Sequence, residues 1–412
     1  MEHYDRLEIR DPRQREHEQF AALSQQIERA KRFVPYFGRL LSGVNPADVK
    51  DHQALARLPV TRKSDLLELQ RQNRPFGGLA MTAQGAIGRI FSSPGPIYDP
   101  EGCGPDWWRF ARGLFAAGFR RGDLVYNTFS YHFTPAGFMA DGGARMLGCS
   151  VFPAGVGQTE RQVATIAELR PQGYVGTPSF LRILLEKADE TKADVASLKR
   201  ALVGGEAMPA SMREEFERRG IRTLQLYATA DLGMIAYESP AREGWIVDEG
   251  VIVEIVRPGT GEPMSEGEVG EVVVTTFNPD YPLLRFATGD LSAVLPGVSP
   301  CGRTNTRIKG WMGRADQTCK VRGMFVWPSQ VSEVVKRHAE VQKARLVIDH
   351  DGKRNDRMTL RCEVGGAGSE ALARAIASSI RDVTKLRGEA TFVVFGSLPC
   401  DGKVIDDLRK YE

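Results

Sequence analysis

Between Gly122 and Gly220 the sequence alternates short apolar runs with longer amphipathic ones, and this alternation constrains the fold more than any other feature. Runs such as "DLVYNTF" and "CSVFPAG" are typical of strands, whereas "TERQVATIAELR" and "SFLRILLEKADE" have helical spacing. Strands that alternate with helices predict βαβ units around a largely parallel sheet. We therefore expect an α/β protein whose large N-terminal domain has mostly parallel sheets.

The regions on either side of this alternation have other patterns. Residues 1–80 predict a helical N-terminal segment, and residues 245–310 contain β-rich runs between Gly and Pro turns, which predict a β-rich subdomain. A compact α+β pattern follows toward the C-terminus. Because 412 residues exceed one ordinary domain, we predict a large domain over residues 1–314 and a small, mobile α+β domain over residues 315–412.

Composition excludes several classes of protein. With 42% hydrophobic and 26% charged residues, the chain resembles ordinary globular proteins. The net charge of +3 favours neither a nucleic acid nor a membrane surface as partner. The charged N-terminus argues against a signal peptide, and no apolar stretch is long enough for a membrane helix. Six cysteines without a CxxC pair are typical of a reducing compartment, so we predict a cytoplasmic protein.

Five sequence motifs follow one another along the chain. They are "VGGEAMP" at 203–209, "LQLYATADLG" at 224–233, "LLRFATGDL" at 283–291, "GRADQTCKVRG" at 313–323 and "LPCDGKVIDD" at 398–407. In this order they resemble the adenylate-forming superfamily of acyl-CoA synthetases and AMP-ligases, most of all the phenylacetate–CoA ligase type. The resemblance implies ATP-dependent activation of a small-molecule carboxylic acid through an acyl-adenylate, followed by transfer to CoA. It implies ATP or AMP, Mg²⁺ and CoA as cofactors.

The resemblance also implies a nucleotide site at the carboxyl ends of strands, where open α/β sheets bind ligands. It assigns the adenine to Gly204, Gly205, Glu206 and Ala207. It assigns the two ribose hydroxyls to Asp290, since a carboxylate accepts two hydrogen bonds well, and the ribose and phosphate to Arg314. A tight turn, a turn aspartate and a surface arginine remain the plainer alternatives for these three places.

The stretch "YATAD" departs from the family's usual Tyr-Gly-x-Thr/Ser-Glu. By the resemblance, Tyr227 offers a flat face for stacking and Thr229 a hydroxyl for the α-phosphate. Ala228 replaces a glycine and narrows the space beside the acyl group. Asp231 replaces the glutamate that would bind Mg²⁺, so its carboxylate reaches one methylene less far; an incidental aspartate at a strand end is the alternative.

Two residues of the predicted small domain complete the assignment. Lys403 matches the lysine that stabilises the negative charge developing at the α-phosphate, although a solvated lysine near the terminus is the alternative. Asp316 matches the hinge between the large and small domains.

The acyl pocket is assigned to Tyr131, His132 and Phe133. His132 fits a gate, or else a core histidine among aromatic residues. The aromatic content favours an aromatic or apolar acid. Cys301 has no second cysteine nearby, so we expect no structural zinc.

The phosphate loop is the weakest part of the resemblance. In "RIFSSPGPIYDPEG", residues 89–102, Ser92, Ser93 and Gly95 are retained, whereas the prolines lack an N–H and no lysine is present. We expect weaker binding of the triphosphate and a slow half-reaction in which pyrophosphate is displaced. Two alternatives stay open: an acyltransferase that handles acyl-adenylate or CoA without ATP activation, and a ligand-binding pseudoenzyme. A homodimer is also left open.

Overall fold

The computed structural model describes residues 2–93, 96–312, 314–315, 319–322, 324–326, 328–351, 355–366, 368–399 and 404–409. The chain divides into two compact units, Met1–Gly313 and Arg314–Glu412.

The helices are α1 (Pro12–Phe33), α2 (Pro35–Leu40), α3 (His52–Leu55), α4 (Leu66–Gln72), α5 (Ala111–Ala116), α6 (Ala136–Met146), α7 (Thr159–Leu169), α8 (Pro178–Thr191), α9 (Ala210–Arg218), α10 (Pro328–Lys336) and α11 (Glu370–Thr384). In the part of the chain that the structure describes, none of them is long and apolar enough to cross a membrane.

The strands of the larger unit are β1 (Thr61–Arg62), β2 (Arg89–Ser93), β3 (Ile97–Glu101), β4 (Leu124–Asn127), β5 (Ser150–Pro153), β6 (Gly173–Gly176), β7 (Arg200–Val203), β8 (Arg222–Thr229), β9 (Gly233–Glu238), β10 (Trp245–Val247), β11 (Val251–Val256), β12 (Gly270–Thr276), β13 (Phe286–Ser292), β14 (Val294–Leu295) and β15 (Arg307–Ile308). Those of the smaller unit are β16 (Cys319–Val321), β17 (Met324–Val326), β18 (Val341–His350), β19 (Asp356–Val364), β20 (Glu389–Val393) and β21 (Ile405–Asp407).

The larger unit is built on a sheet with the strand order β14-β15-β10-β9-β8-β7-β6-β4-β5. Neighbours from β5 to β8 are parallel, and neighbours from β8 to β14 are antiparallel. The strand β6 is buried along its whole length, as is typical of a strand covered on both faces. The predicted α/β class is confirmed, with an antiparallel extension that the alternating pattern did not predict.

A second sheet of the larger unit has the order β1-β13-β12-β11. We predicted residues 245–310 as a single β-rich subdomain, but the strands of this segment divide between the two sheets. Strand β9 is buried throughout. Its backbone N–H and C=O groups on the side away from β8 therefore need a partner strand, and β10 pairs with them. The segment therefore connects the two sheets instead of forming a unit of its own.

The start of α8 fixes where β6, an inner strand of the large sheet, ends. Thr177 caps the helix, its hydroxyl accepting the Phe180 N–H at 3.4 Å, and Pro178 occupies the first turn. Leu181 and Leu184 then pack into the core between helices and sheet. The cap ends β6 at Gly176, beside the first of the glycines assigned to the adenine.

The smaller unit has a sheet with the order β20-β19-β18-β21, against which α10 and α11 pack. Ser369 caps α11 by accepting the Leu372 N–H at 3.1 Å. Ile376 and Ile380 are buried one turn apart on the face of α11 that meets the sheet. The smaller unit thus has a core of its own.

Arg285 joins the second sheet to the N-terminal segment. Its guanidinium lies 3.0 Å from each carboxylate oxygen of Glu254 and donates to the carbonyls of Ala56 at 2.8 Å and Gly261 at 2.7 Å. The arginine side chain is 2% exposed and that of Glu254 6%. These contacts hold residues 56–62 against β13, which places β1 and the residues after it.

Replacing Arg285 with Met should lower the free energy of unfolding by about 3–5 kcal/mol, because Glu254 would remain buried without its cation. Urea unfolding followed by circular dichroism measures the loss. Arg257→Met is the matched control, since Arg257 pairs with Glu262 on the surface and its loss should cost less than about 1 kcal/mol. Equal losses in the two variants would contradict the role given to Arg285.

Candidate active site

The turn after β7 lies at the carboxyl edge of the large sheet. The Gly204 N–H donates to the carbonyl of Gly176 at 3.1 Å. A Cβ on Gly204 would lie 2.6 Å from a methyl carbon of Leu226, so only glycine fits there. Gly205 has a φ of 81°, which also favours glycine. This geometry brings the turn close to both neighbouring strands.

Glu206 is held in the same turn. Its carboxylate accepts the Ser179 N–H at 2.6 Å, in the first turn of α8. Ala207 follows it and is half-buried. The four residues assigned to the adenine therefore share one edge of the sheet, and their contact with a base stays a prediction.

Tyr227 and Asp290 meet although they lie on different sheets. The Tyr227 hydroxyl, on β8, donates to the Asp290 carboxylate on β13 at 2.8 Å and lies 3.2 Å from the hydroxyl of Thr288. The Asp290 carboxylate also accepts the indole N–H of Trp311 at 3.1 Å. Two motifs that are distant in sequence therefore form one polar group.

The end of β8 carries the remaining residues of "YATAD". Ala228 and Thr229 are half-buried in the last positions of the strand. The Thr229 hydroxyl accepts the Leu232 N–H at 3.3 Å, which closes the turn toward β9. Asp231 lies in this turn, two residues after the end of β8, and the Asp231 carboxylate is buried.

Asp231 pairs with a lysine from the N-terminal segment. The Lys63 ammonium lies 2.6 Å from Oδ2 of Asp231, and the two side chains are 23% and 0% exposed. Lys63 immediately follows β1, which the Arg285 contacts place. Sequence reasoning missed Lys63, because nothing local to "TRKSD" indicates a partner so far along the chain.

A second carboxylate lies beside this pair. Asp99, on β3, is fully buried, and neither of its oxygens has a hydrogen-bond partner among the described residues. Burial and then the charge of Asp231 raise the pKa of Asp99 well above its usual value, although Lys63 opposes the shift. The same two carboxylates, after burial, raise the pKa of Tyr281. Asp99, Asp231 and Lys63 thus form one buried charged cluster.

Asp231, which the resemblance assigns to Mg²⁺, faces a lysine in this structure. A protein cation already occupies one oxygen of this carboxylate, and the side chain is not exposed. Among the described residues no group of three or more His, Cys, Asp and Glu could hold a metal ion. The role of Asp231 toward Mg²⁺ stays a prediction, and no step below passes through it.

The phosphate-loop stretch forms a hairpin of β2 and β3, in which Ser92 pairs with Tyr98 and Ser93 with Ile97. The Ser92 N–H donates to the carbonyl of Phe133 at 2.8 Å. Ser93 is buried, with its hydroxyl 3.4 Å from the carbonyl of Ile97. Gly95, the third residue assigned to phosphate, lies outside the described residues. Both serines thus make contacts within the protein.

The loop after β4 carries the residues assigned to the acyl pocket. Asn127, buried at the end of β4, donates to the Tyr131 hydroxyl at 2.7 Å. His132 is exposed, so it is not the core histidine of the alternative interpretation. The Phe133 ring is 80% exposed and its φ is 61°. The loop therefore presents an apolar ring beside the hairpin of β2 and β3.

Three assigned residues belong by sequence to the smaller unit. Arg314 is its first residue and is half-buried. Asp316 and Lys403 lie outside the described residues. The nucleotide role of Arg314, the hinge role of Asp316 and the catalytic role of Lys403 stay predictions.

Cys301 lies in a buried polar setting. Its sulfur is 3.0 Å from the Ser299 hydroxyl and 3.5 Å from the Arg303 guanidinium. Burial raises the pKa of this thiol, but hydrogen bonds led by Ser239 and Ser299 outweigh it and lower the pKa. Arg303 pairs at 3.0 Å with Glu8 near the N-terminus. The surroundings of Cys301 thus join the N-terminus to the loop before β15.

Replacing Asp99 with Asn should stabilise the protein increasingly as pH rises. A carboxyl whose pKa is raised by folding contributes stability that is present below the unfolded pKa of about 4. That contribution is lost as pH rises through the folded pKa. Because Asn does not titrate, the midpoint temperature of the variant should match the wild type near pH 4. It should exceed the wild type by about 3 °C at pH 8.

Thermal unfolding in a buffer with a chelator measures this difference. Asp65→Asn, which replaces an exposed carboxylate, is the control and should show no such pH dependence. A stability difference that stays constant from pH 4 to pH 8 would contradict the raised pKa of Asp99.

Comparison with known proteins identifies the family. A family model described as AMP-binding enzyme matches residues 116–278. A phenylacetate–coenzyme A ligase of Thermus thermophilus is 33% identical over 380 residues, which cover 86% of this chain and 83% of that protein. A phenylacetate–coenzyme A ligase of Aromatoleum evansii is 30% identical over 389 residues, which cover 88% and 86% of the two chains.

A solved structure shows the same fold. A 2-hydroxyisobutyryl-CoA ligase in complex with 2-HIB-AMP and CoA has a TM-score of 0.84 at 24% identity, over 98% of this chain and 92% of that chain. The identity to the two curated ligases, which extends over most of each chain, agrees with the order of the motifs. The chain therefore belongs to the phenylacetate–coenzyme A ligase family of adenylate-forming enzymes, and it is an AMP-forming acid–CoA ligase.

Proposed function

We propose that this chain activates an aromatic or apolar carboxylic acid. The acid carboxylate attacks the α-phosphorus of ATP and releases pyrophosphate, and the CoA thiolate then attacks the acyl carbonyl and releases AMP. The observation that carries the proposal is the meeting of Tyr227 and Asp290 at 2.8 Å. Two motif residues from separate sheets converge there, which brings the stretch assigned to the α-phosphate beside the residue assigned to the ribose.

The proposed nucleotide site extends from this pair along the edge of the large sheet. Asp290 would accept the ribose hydroxyls, and the turn at Gly204 would face the adenine. Thr229, two residues beyond Tyr227, would reach the α-phosphate. This order follows the strand ends, where backbone groups are not occupied by sheet pairing.

Lys63 supplies, in this proposal, the positive charge that the phosphate loop lacks. Its ammonium lies beside Asp231, and Asp231 belongs to the turn that the Thr229 hydroxyl closes. An ammonium carries three N–H donors, so a bond to Asp231 is compatible with bonds to phosphate. A cation here would bind the α-phosphate in both ATP and the acyl-adenylate, and it would offset the acids of the hairpin.

The acid is proposed to bind beside the loop of Tyr131 and Phe133. Phe133 is a large apolar residue with most of its ring exposed, and its carbonyl is fixed to the phosphate hairpin through Ser92. Tyr131 packs edge-to-face on Phe138 with 5.1 Å between ring centroids. Aromatic rings in this arrangement favour a flat or apolar acyl group.

An acid panel tests the proposal. Phenylacetate, benzoate, hexanoate, acetate and succinate are each incubated with ATP, Mg²⁺ and CoA, and pyrophosphate, AMP and thioester are measured. The aromatic or apolar acids should give the highest kcat/KM. Phe133→Ala should lower kcat/KM about tenfold for them and little for acetate. Phe33→Ala removes another exposed ring and is the matched control.

The other outcomes of the panel separate the remaining functions. If no acid yields pyrophosphate while AMP and CoA bind in calorimetry, the chain handles activated acids made elsewhere. Failure to bind either nucleotide or CoA would favour a ligand-binding protein without this chemistry.

Lys63 can be separated from Asp231 by a pair of variants. Lys63→Met with Asp231→Asn keeps the buried site neutral, and it should lower kcat/KM for ATP about thirtyfold through the lost charge-assisted contacts. Asp231→Asn alone keeps the ammonium and should lose much less. Pyrophosphate release at varied ATP measures both, with the exposed Lys50→Met as control. Equal losses in the two variants would assign the effect to Asp231.

A further inference from the structure

The segment after β15 is fixed alongside β13. Its backbone donates from Lys309 to Ala293 and from Met312 to Leu291, both at 2.9 Å. Between these two bonds the Ser292 hydroxyl donates to the carbonyl of Gly310 at 2.7 Å. These contacts hold Trp311 next to the strand residue before Leu291, which is Asp290.

Trp311 makes a defined contact with this carboxylate. Its indole N–H donates to Oδ1 of Asp290 at 3.1 Å, whereas Tyr227 donates to Oδ2. An indole nitrogen can only donate, so the direction of this bond is fixed. The Trp311 ring is half-buried and packs against the core of the larger unit, which restricts where its N–H can lie.

We infer that Trp311 is a positioning residue, which holds the Asp290 carboxylate in the plane that meets both hydroxyls of a ribose. The inference rests on the proposed function, in which Asp290 accepts these hydroxyls. The terminal torsion of an aspartate is broad and easily rotated, so a lone carboxylate would not keep both oxygens toward a vicinal diol. A donor on each oxygen restricts this rotation.

An indole donor and a ribose hydroxyl can share one carboxylate oxygen. A carboxylate has about four lone-pair sites, so an oxygen that accepts from an indole can also accept from a hydroxyl. The consequence is a specific one. Trp311 should contribute to nucleotide affinity only through the ribose hydroxyls, and its loss should be invisible to a nucleotide that lacks them.

The experiment compares ligands that differ in one hydroxyl. Calorimetry gives the dissociation constants of AMP, 2′-deoxy-AMP and 3′-deoxy-AMP for the wild type and for Trp311→Phe, which removes the N–H and keeps a ring. The wild type should prefer AMP over both analogues. In the variant this preference should fall about fivefold, because AMP loses affinity at both hydroxyls and each analogue only at the one that it keeps.

Two further variants sharpen the comparison. Trp107→Phe is the matched control, because the half-buried Trp107 also donates its indole N–H to an aspartate, Asp280, at 2.7 Å. It should leave the preference for AMP unchanged. Trp311→His retains a ring N–H and should recover part of the preference, and it also serves if Trp311→Phe does not fold.

The outcomes distinguish the inference from the proposed function. Equal losses of affinity for all three nucleotides would show that Trp311 only supports the fold, and would overturn the inference alone. A wild type that binds AMP without preferring it to the analogues would also overturn the inference. A wild type that binds none of the nucleotides would contradict the proposed function, and the inference with it.

Discussion

The hydrogen bond between Tyr227 and Asp290 is the contact on which the candidate site depends. It joins the C-terminal end of β8, in the large sheet, to β13, in the second sheet. The end of β8 lies beside the turn at Gly204, because the parallel neighbours β7 and β8 end at one edge of the sheet. The bond thus gives a direct polar link between two of the motifs that carry the family resemblance.

Charge balance is the second constraint. A buried acid is costly unless it is paired or protonated, and this chain places two acids, Asp99 and Asp231, with one lysine. Lys63 neutralises Asp231. Because the pKa of Asp99 is raised, its carboxyl group keeps a proton more readily than that of an exposed aspartate. Under the proposed function, the cation that the phosphate loop lacks would come from Lys63, which lies on another segment of the chain.

The sequence predicted the α/β class and the family, since both depend on local patterns: alternating runs in one case, motif letters and their order in the other. It did not indicate Lys63, because the lysine and Asp231 are 168 residues apart and no nearby residue marks the pair. It also did not indicate that the 245–310 segment divides between sheets, because pairing partners are set by edges available in three dimensions. The turn at residues 204–207 and the end of β8 lie at one edge of the large sheet, and the roles of the assigned site residues stay predictions.

The pairing of β1 with β13 has a consequence for synthesis on the ribosome. Thr61 lies opposite Phe286, so its partner strand is made more than two hundred residues later, which takes on the order of ten seconds or more at about 5–20 residues per second. During that time Phe20, Leu23 and Ile27 of α1 lack the Ile252 and Ile255 side chains with which they share a core. The nascent N-terminal segment is therefore an apolar surface that chaperones can bind, and a prematurely terminated chain would keep it exposed.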